Sequence, residues 1–288
     1  MKATTMLDTL SSLLGTPVGA IPLSSCRIAR QYLLDRASIG AGGTALLFCI
    51  PYVMTADVDD PARNLSLYAL PQDYHTYAAI LEKTVLSAMQ TAFPNHRFAL
   101  FADHSPILEV DAAARAGLGV CGKNGLLLTP QYGSFVFIME VVTDADYRAV
   151  TGWDAPAFSD DVPLCDGCGA CLRACPTQGQ GCLSELTQKK GKLTTEELDR
   201  LSRHPLVWGC DTCQVVCPHN RRVIEAGVDT PIPFFREGRM GHMSSAILES
   251  MDDETFASRA YAWRGRAVIQ RNVSLKEIAQ IRNKEEGL

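Results

Sequence analysis

The 288-residue sequence has no apolar run long enough to cross a membrane. Its longest apolar run, residues 45–54, is too short to span a bilayer and contains Pro51. At the N-terminus Lys2 is the only basic residue before Asp8, which interrupts the apolar residues, so we expect no secretory signal, no membrane attachment and a cytoplasmic location. The sequence also has no low-complexity segment and no internal repeat beyond two half-related cysteine groups. These absences exclude collagen-like and repeat architectures.

Charge of one sign is not in large excess either. The net charge is −5, with 20% charged and 47% hydrophobic residues, which is typical of a globular protein and does not by itself indicate a nucleic-acid binder. The distribution is uneven, because seven basic residues outnumber three acidic ones from residue 257 onward. The basic residues are Arg259, Arg264, Arg266, Arg271, Lys276, Arg282 and Lys284. This segment is either a solvated helical surface or a patch that faces RNA.

Cysteine is abundant by contrast, and eight of the eleven cysteines lie within residues 165–217. The first group reads Cys165-x2-Cys168-x2-Cys171-x3-Cys175-Pro. The second group reads Cys210-x2-Cys213-x3-Cys217-Pro, and Cys182 lies between the two groups. The first string is the bacterial ferredoxin signature, in which three closely spaced thiolates hold one cubane and the fourth reaches the other cluster. The pattern predicts iron–sulfur electron transfer in a reducing compartment.

The second group has three cysteines where the full motif has four. A full repeat would place a cysteine three residues before Cys210, where the sequence has Val207, and Cys182 is the unassigned cysteine nearby. We therefore expect two [4Fe–4S] clusters with four thiolates each. One cluster is assigned to Cys165, Cys168, Cys171 and Cys217, and the other to Cys175, Cys182, Cys210 and Cys213. A pair of zinc knuckles is the alternative, although this string is rare at zinc sites.

The first 150 residues alternate between helix and strand patterns and predict an α/β layer architecture. Residues 44–50 form an apolar run typical of a strand buried on both faces. Residues 73–93 have helical periodicity, and residues 97–102 and 134–142 resemble strands. Ser105 and Pro106 predict the N-cap and first residue of a helix that ends near Gly117.

A loop rich in Asp, Pro and Ala over residues 154–163 separates this region from the cysteines. We predict an α/β domain over residues 1–155, a ferredoxin-like domain with both clusters over residues 156–225, and a helical segment over residues 226–288 that packs on the rest. We expect a monomer.

The string Gly117-Leu-Gly-Val-Cys-Gly122 matches the dinucleotide-binding fingerprint letter for letter. That fingerprint must follow a strand and begin a helix. Here the preceding residues are helical and residues 126–128 are strand-like, so the context is reversed. We expect a tight turn of the backbone that approaches a ligand or another segment, and no nicotinamide site.

Two further stretches read Phe101-Ala-Asp-His-Ser-Pro-Ile-Leu-Glu109 and Ala116-Gly-Leu-Gly-Val-Cys-Gly-Lys-Asn124. They resemble segments of the epoxyqueuosine reductase family, and local matches to that family extend from Tyr68 to about Asn272. The resemblance implies a cobalamin-dependent enzyme with two [4Fe–4S] clusters, related in fold to reductive dehalogenases, that reduces the epoxide of epoxyqueuosine in tRNA. Its electrons would come from an external donor such as a flavodoxin or ferredoxin.

The catalytic aspartate of the family maps to Asp103, and its lone cysteine after the first motif maps to Cys182. Asp103 follows a predicted strand, where open α/β sheets place ligands, and would protonate an oxygen if burial lets it keep its proton. Its alternative role is to cap the next helix. Lys123 and Asn124 are candidate contacts to the cofactor or to substrate phosphate, or else surface residues beside a turn.

Ser134 and Tyr68 are further candidate cofactor contacts, and Tyr68 could instead serve in packing. The family pattern has aromatic residues where this chain has Val120, Glu185 and His219. A base-stacking surface is thereby lost. Two alternative functions follow: a related cobalamin and iron–sulfur reductase of a small molecule, and a two-cluster electron carrier.

Overall fold

A computed structural model describes residues 4–285, and within helix 266–285 the side chains up to residue 279. The chain forms two compact units, which are considered separately. The first comprises Met1–Pro51 and Tyr77–Cys168, and the second comprises Tyr52–Thr76 and Gly169–Leu288. The three domains predicted from the sequence stay a prediction. No helix within residues 4–285 is long and apolar enough to cross a membrane.

The first unit is built on a four-stranded sheet. In chain order its elements are α1 (Met6–Leu14), β1 (Val18–Pro22), α2 (Gln31–Ala37), β2 (Thr44–Pro51), α3 (Tyr74–Ala92), β3 (Phe98–Ala102), α4 (Glu109–Arg115), β4 (Val120–Cys121), β5 (Leu127–Leu128), β6 (Val136–Thr143) and α5 (Tyr147–Thr151). The first residues of α3 belong to the second unit. The predicted mixture of helices and strands is confirmed.

Every neighbouring pair in this sheet, of order β1-β2-β6-β3, is antiparallel. The register places Phe48 opposite Val18 on one side of β2 and opposite Met139 on the other. All eight residues of β2 are buried, as the apolar run predicted. Strand β2 is therefore covered on both faces, but the sheet is antiparallel and is not an open parallel sheet of the kind that places ligands at strand ends such as Asp103.

One face of the sheet carries the main hydrophobic core of the unit. Ala45 and Leu47 of β2 and Val142 of β6 lie in one buried cluster with three alanines of α4. Small residues on α4 let its backbone approach the strands closely, and burial of this apolar surface is the main favourable contribution to stability. Helix α4 is thereby held against the sheet, which fixes the position of its first residue, Glu109.

The second unit is helical. Its elements are α6 (Ala170–Arg173), α7 (Leu183–Gln188), α8 (Thr195–Arg203), α9 (Thr212–Val215), α10 (Pro218–Glu225), α11 (Pro233–Arg236), α12 (Ser245–Ser250), α13 (Asp253–Ala257) and α14 (Arg266–Glu285). The helical segment predicted over residues 226–288 contains α11, α12, α13 and α14. Trp208 is fully buried and packs edge-on against Tyr261, with their ring centroids 6.2 Å apart.

Candidate functional site

Asp103 lies immediately after β3 in a strained turn. Its φ is +66°, and the backbone N of His104 donates to the carbonyl oxygen of Ala102 at 2.7 Å. Positive φ is uncommon outside glycine, and residues held there cluster at functional sites. The Asp103 side chain is exposed. The structure therefore does not supply the burial that the sequence argument required for this carboxyl to keep a proton.

Ser105 does not cap the next helix, so this prediction is wrong. Helix α4 begins at Glu109 and its N-cap is Leu108. The Ser105 hydroxyl instead accepts a hydrogen bond from the backbone N of Ile107 at 3.0 Å. The same hydroxyl donates to the carboxyl group of Glu140 on β6. The Ser105 hydroxyl bonds to a carboxyl group of the core instead of capping a helix. Short-range sequence patterns do not reveal such a distant partner.

Glu140 is completely buried in the middle of β6, opposite Phe101 of β3. Burial raises the pKa of its carboxyl well above the ordinary value; the Ser105 hydrogen bond opposes the rise, and Glu109 adds to it. Its second oxygen, Oε2, has no hydrogen-bond partner within residues 4–285. A buried carboxyl in such surroundings is stable mainly in its neutral, protonated form.

A cavity of about 530 Å³ opens in the first unit beside Asp103. The residues that line it include Arg30, Asp103, Ser105, Glu109, Cys121 and Leu164. Glu109 is half-buried, and its Oε2 has no hydrogen-bond partner in the described part of the chain. Burial raises the pKa of Glu109 to about 7, Asp103 adds to the rise, and Arg30 opposes it.

Glu109 is the last residue of the segment that begins at Phe101, and the sequence alone assigns it no role. The available signal was a second acid six residues after Asp103, at the start of a helix. Only the tertiary structure shows that both acids face one cavity. A pair of carboxyls in unequal surroundings, one exposed and one half-buried, is the usual arrangement for separating a proton donor from its charged partner.

The glycine-rich segment follows α4 and forms a short hairpin with β5, so a helix precedes it and a strand follows it, as the sequence predicted. Strands β4 and β5 pair antiparallel, with Val120 opposite Leu128. A Cβ on Gly119 would lie 2.3 Å from the carbonyl oxygen of Leu128, so only glycine permits this close approach. The sequence therefore needs glycine here for packing of the backbone.

Lys123 and Asn124 lie in the turn of this hairpin. Asn124 Oδ1 accepts a hydrogen bond from the backbone N of Leu126 at 3.3 Å, which holds the turn. Lys123 is exposed, and its Cε lies 3.5 Å from the position that a Cβ on Gly167 would occupy. Its side chain therefore covers the loop between Cys165 and Cys168.

The cavity wall includes Asp103 but, within the described residues, not Lys123, Asn124 or Ser134. Ser134 is buried just before β6. The roles of these three residues as cofactor contacts stay predictions.

Cys121 connects the cavity wall to the first predicted cluster ligand. The Cys121 carbonyl oxygen accepts from the backbone N of Cys165 at 3.0 Å, and the Cys121 backbone N donates to Pro163 O at 2.7 Å. Cys121 itself lines the cavity. The backbone of Cys165 is thus fixed directly against the cavity wall by a short strand-like pairing.

Cys168 also belongs to the first unit, whereas the six remaining predicted ligands belong to the second unit and lie on short helices or close to their ends. Cys171 is on α6 and Cys213 on α9, and these two helices pack against each other. Cys182 and Cys217 are the N-cap residues of α7 and α10. Burial raises the pKa of the Cys210 thiol, hydrogen bonds with Thr212 lower it, and Cys182 adds to the rise.

All eleven cysteines are free thiols. Within residues 4–285, no three His, Cys, Asp or Glu side chains are placed to hold a single metal ion. The assignment of eight thiols to two clusters stays a prediction.

Val207, the residue in place of an eighth motif cysteine, is fully buried, and its backbone N donates to Asn64 O at 2.6 Å. Next to it, Trp208 Nε1 donates to the hydroxyl of Tyr68 at 2.7 Å. Tyr68 is therefore a structural partner of the buried tryptophan in the second unit. Its role as a cofactor contact stays a prediction.

A buried ion pair fixes the second cysteine motif. Arg63 Nη1 lies 2.6 Å from Asp211 Oδ2, and both side chains are almost fully buried. The same carboxylate oxygen accepts from the backbone N of Leu67 at 2.9 Å. Asp211 lies next to Cys210, so the ion pair anchors the backbone that carries this thiol.

Comparison with known proteins identifies the family. The chain is 37% identical over 220 residues to the epoxyqueuosine reductase of Listeria monocytogenes, and the match covers 69% of this chain and 53% of that protein. The chain belongs to the epoxyqueuosine reductase family. The enzyme of Lactococcus garvieae is 32% identical over 220 residues, covering 70% of this chain and 58% of the relative. This family member thus spans about half the length of these curated relatives. No protein-family model matches it.

Solved structures share the fold of this epoxyqueuosine reductase family member. The structure of epoxyqueuosine reductase from Streptococcus thermophilus aligns with a TM-score of 0.68 and 21% identity, covering 95% of this chain and 80% of that one. An epoxyqueuosine reductase solved with an epoxyqueuosine-modified tRNA-Tyr stem loop aligns with a TM-score of 0.66 and 23% identity, covering 94% and 79%.

Proposed function

We propose that this chain reduces the epoxide of epoxyqueuosine in tRNA to the alkene of queuosine. The observation that carries the proposal is the 37% identity to the Listeria monocytogenes enzyme together with a cavity that presents Asp103. An epoxyqueuosine reductase of similar fold has been solved with a modified tRNA stem loop, which supports tRNA as the substrate. Because its substrate is tRNA, we place the protein in the cytoplasm.

The cysteines of the chain fit two [4Fe–4S] clusters. All eight predicted ligands are free thiols, and soft thiolates at these spacings are the donor set of cubane clusters. Cys165, Cys168, Cys171 and Cys217 would hold one cluster, and Cys175, Cys182, Cys210 and Cys213 the other. The electrons would come from an external one-electron donor of the flavodoxin or ferredoxin class.

The cavity beside Asp103 fits part of a cobalamin. Its wall combines apolar side chains such as Leu164 with a carboxyl oxygen of Glu109 that lacks a partner in the described chain, which suits a ligand with an apolar ring and amide donors. Bound cobalamin would supply the reducing power for breaking carbon–oxygen bonds. Asp103 would protonate the epoxide oxygen, and Lys123 and Asn124 would contact the cofactor or substrate phosphate from the hairpin turn. Ser134 and Tyr68 remain weaker candidates.

The first experiment tests the reaction. The purified, anaerobically reconstituted chain should convert epoxyqueuosine in tRNA to queuosine in the presence of cobalamin and a chemical reductant, as measured by mass spectrometry of nucleosides. Asp103→Asn should lower turnover by about a hundredfold or more, as expected for loss of a general acid. Asp160→Asn, at an exposed aspartate of the same unit, is the matched control. Absence of queuosine with the unaltered chain would refute the proposal.

The second experiment tests the clusters. The reconstituted chain should contain about eight iron atoms, four for each cubane. Cys182→Ser should reduce this content to about four if Cys182 supplies the thiolate that the second motif lacks. Cys26→Ser removes a cysteine outside both motifs and should leave the iron content unchanged. Full iron content in the Cys182→Ser variant would remove Cys182 from the ligand set.

A further inference from the structure

An acid that protonates an epoxide oxygen must hold a proton at the working pH, and burial favours the protonated form of a carboxyl group. Asp103 lies exposed in the turn after β3, so its own surroundings do not provide this burial. Glu109 lines the same cavity from the first turn of α4 and is half-buried. The two carboxyls interact electrostatically, since Asp103 contributes to the pKa shift of Glu109.

The surroundings of Glu109 favour a protonated carboxyl. Its Oε2 is buried without a hydrogen-bond partner within residues 4–285. The carboxyls of Asp103 and Glu140 are its acidic neighbours, and Arg30 is its basic neighbour. Arg30 Nη1 is held by a hydrogen bond to the Ser105 carbonyl oxygen at 2.8 Å.

Other ionisable groups near the cavity form ion pairs or hydrogen bonds with partners other than Glu109. Arg27 and Arg115 each lie 3.2 Å from a carboxylate oxygen of Asp111. His104 Nε2 lies 2.6 Å from the hydroxyl of Tyr32. Arg30 is therefore the cation that lowers the pKa of Glu109, and its hydrogen bond to the Ser105 carbonyl oxygen fixes its position.

We propose that Glu109 is the proton-holding partner of Asp103 and passes its proton through Asp103 to the epoxide oxygen. This inference rests on the proposed function. Glu109 is a positioning residue in it, because it holds the proton and acts on the substrate through Asp103. Reduction of an epoxide to an alkene consumes two electrons and two protons and releases one water. The first proton neutralises the oxygen as one carbon–oxygen bond breaks, and the second completes water as the other bond breaks.

Asp103 alone holds one proton at most, whereas each turnover needs two. With Glu109 behind it, Asp103 can be reprotonated inside the cavity before the second bond breaks. The electrons come from the external one-electron donor of the proposed function, and solvent restores the protons afterwards. Burial supports this assignment because it raises the pKa of Glu109 to about 7, which matches an acid that works near neutral pH.

The test compares Glu109→Gln with Glu109→Asp, and Glu82→Gln at an exposed position of α3 is the control. Single turnovers with excess reductant are followed between pH 5.5 and pH 8.5, a range of roughly three units centred on the expected transition. The unaltered chain should lose activity as pH rises through about 7. Glu109→Gln should turn over about a hundredfold more slowly and lose this pH dependence. Glu109→Asp should restore part of the rate with a displaced transition.

A second readout does not depend on activity. Infrared difference spectra of the complete chain should show a protonated carboxyl that titrates near pH 7, and this signal should be absent from Glu109→Gln but present in Glu82→Gln. Persistence of the signal in Glu109→Gln, or an unchanged rate and pH profile, would overturn the proposal. If the unaltered chain produces no queuosine, the proposed function fails, while the infrared titration still decides whether Glu109 holds the proton.

Discussion

Replacing Asp211 with asparagine removes the negative charge of the buried ion pair with Arg63. Asp211 Oδ2 lies 2.6 Å from Arg63 Nη1, and the side chains are only 4% and 9% exposed. Asparagine has nearly the same volume and can still accept the hydrogen bond from the backbone N of Leu67, which spans 2.9 Å. The substitution therefore isolates the loss of charge and leaves the Arg63 guanidinium buried without its counter-ion.

Removal of one partner from a buried pair costs about 3–5 kcal/mol, because the remaining charge has lost both water and its partner. For a unit of this size each kcal/mol lowers the melting temperature by about 2–4 °C. We therefore expect Asp211→Asn to lower the melting temperature of the second unit by roughly 6–20 °C. The assay is anaerobic thermal unfolding of the reconstituted chain, followed by circular dichroism.

Asp59→Asn is the matched control in the same unit. Asp59 Oδ2 lies 3.5 Å from Arg221 Nη1, but its side chain is 70% exposed, and solvent-screened pairs contribute about 0–1 kcal/mol. Replacing both members of the buried pair, as in Arg63→Met with Asp211→Asn, should recover part of the lost stability because no unpaired charge remains. A melting temperature for Asp211→Asn that matches the Asp59→Asn control would refute the reasoning.

Three further predictions concern the same unit. Gly209→Ala should lower the free energy of unfolding, measured by chemical denaturation, by several kcal/mol more than Gly227→Ala. Both glycines have positive φ, but a Cβ on Gly209 would lie 2.4 Å from Ser66 Cβ, whereas a Cβ on Gly227 would have no atom within 4 Å. Equal losses would contradict the steric argument. Burial lowers the pKa of His204 to about 4, so the folded state should lose about 3 kcal/mol of stability as pH falls from 6.5 to 4. His204→Gln should lack this pH-dependent loss in the same acid titration. Asn272→Ala removes the Nδ2 donor of the carbonyl oxygens of Thr187 and Val207, at 2.8 and 2.9 Å. It should cost about 2 kcal/mol of stability in thermal unfolding. An unchanged melting temperature would show that water replaces these bonds.

Sequence patterns predicted the strands and helices with strong periodicity. The apolar run at residues 44–50 became the buried strand β2, and the helical pattern at residues 73–93 became α3. The elements that flank the glycine motif were also predicted correctly, since a helix precedes it and a strand follows it, the reverse of the order that a dinucleotide fingerprint requires. These predictions depend on local periodicity and backbone chemistry, which the sequence carries directly.

Predictions failed where a distant residue competed for a local group. Ser105 resembled an N-cap, but the buried carboxyl of Glu140, 35 residues away, takes its hydroxyl and the helix begins later. The sheet proved antiparallel, which removed one argument for Asp103. Strand direction depends on how distant segments pair, and alternating helix and strand patterns do not determine it.

The sequence by itself determined the residue types and spacings on which the proposed chemistry rests. The spacing of eight cysteines, the short second motif at Val207 and the segment around Asp103 all follow from residue order, because thiolate ligands and motif residues are defined by type and separation. Only the tertiary structure decided how strongly each acidic group is buried. It exposes Asp103, half-buries Glu109 and fully buries Glu140, and burial raises the cost of charge on Glu109 and Glu140. Desolvation depends on atoms brought together from distant parts of the chain.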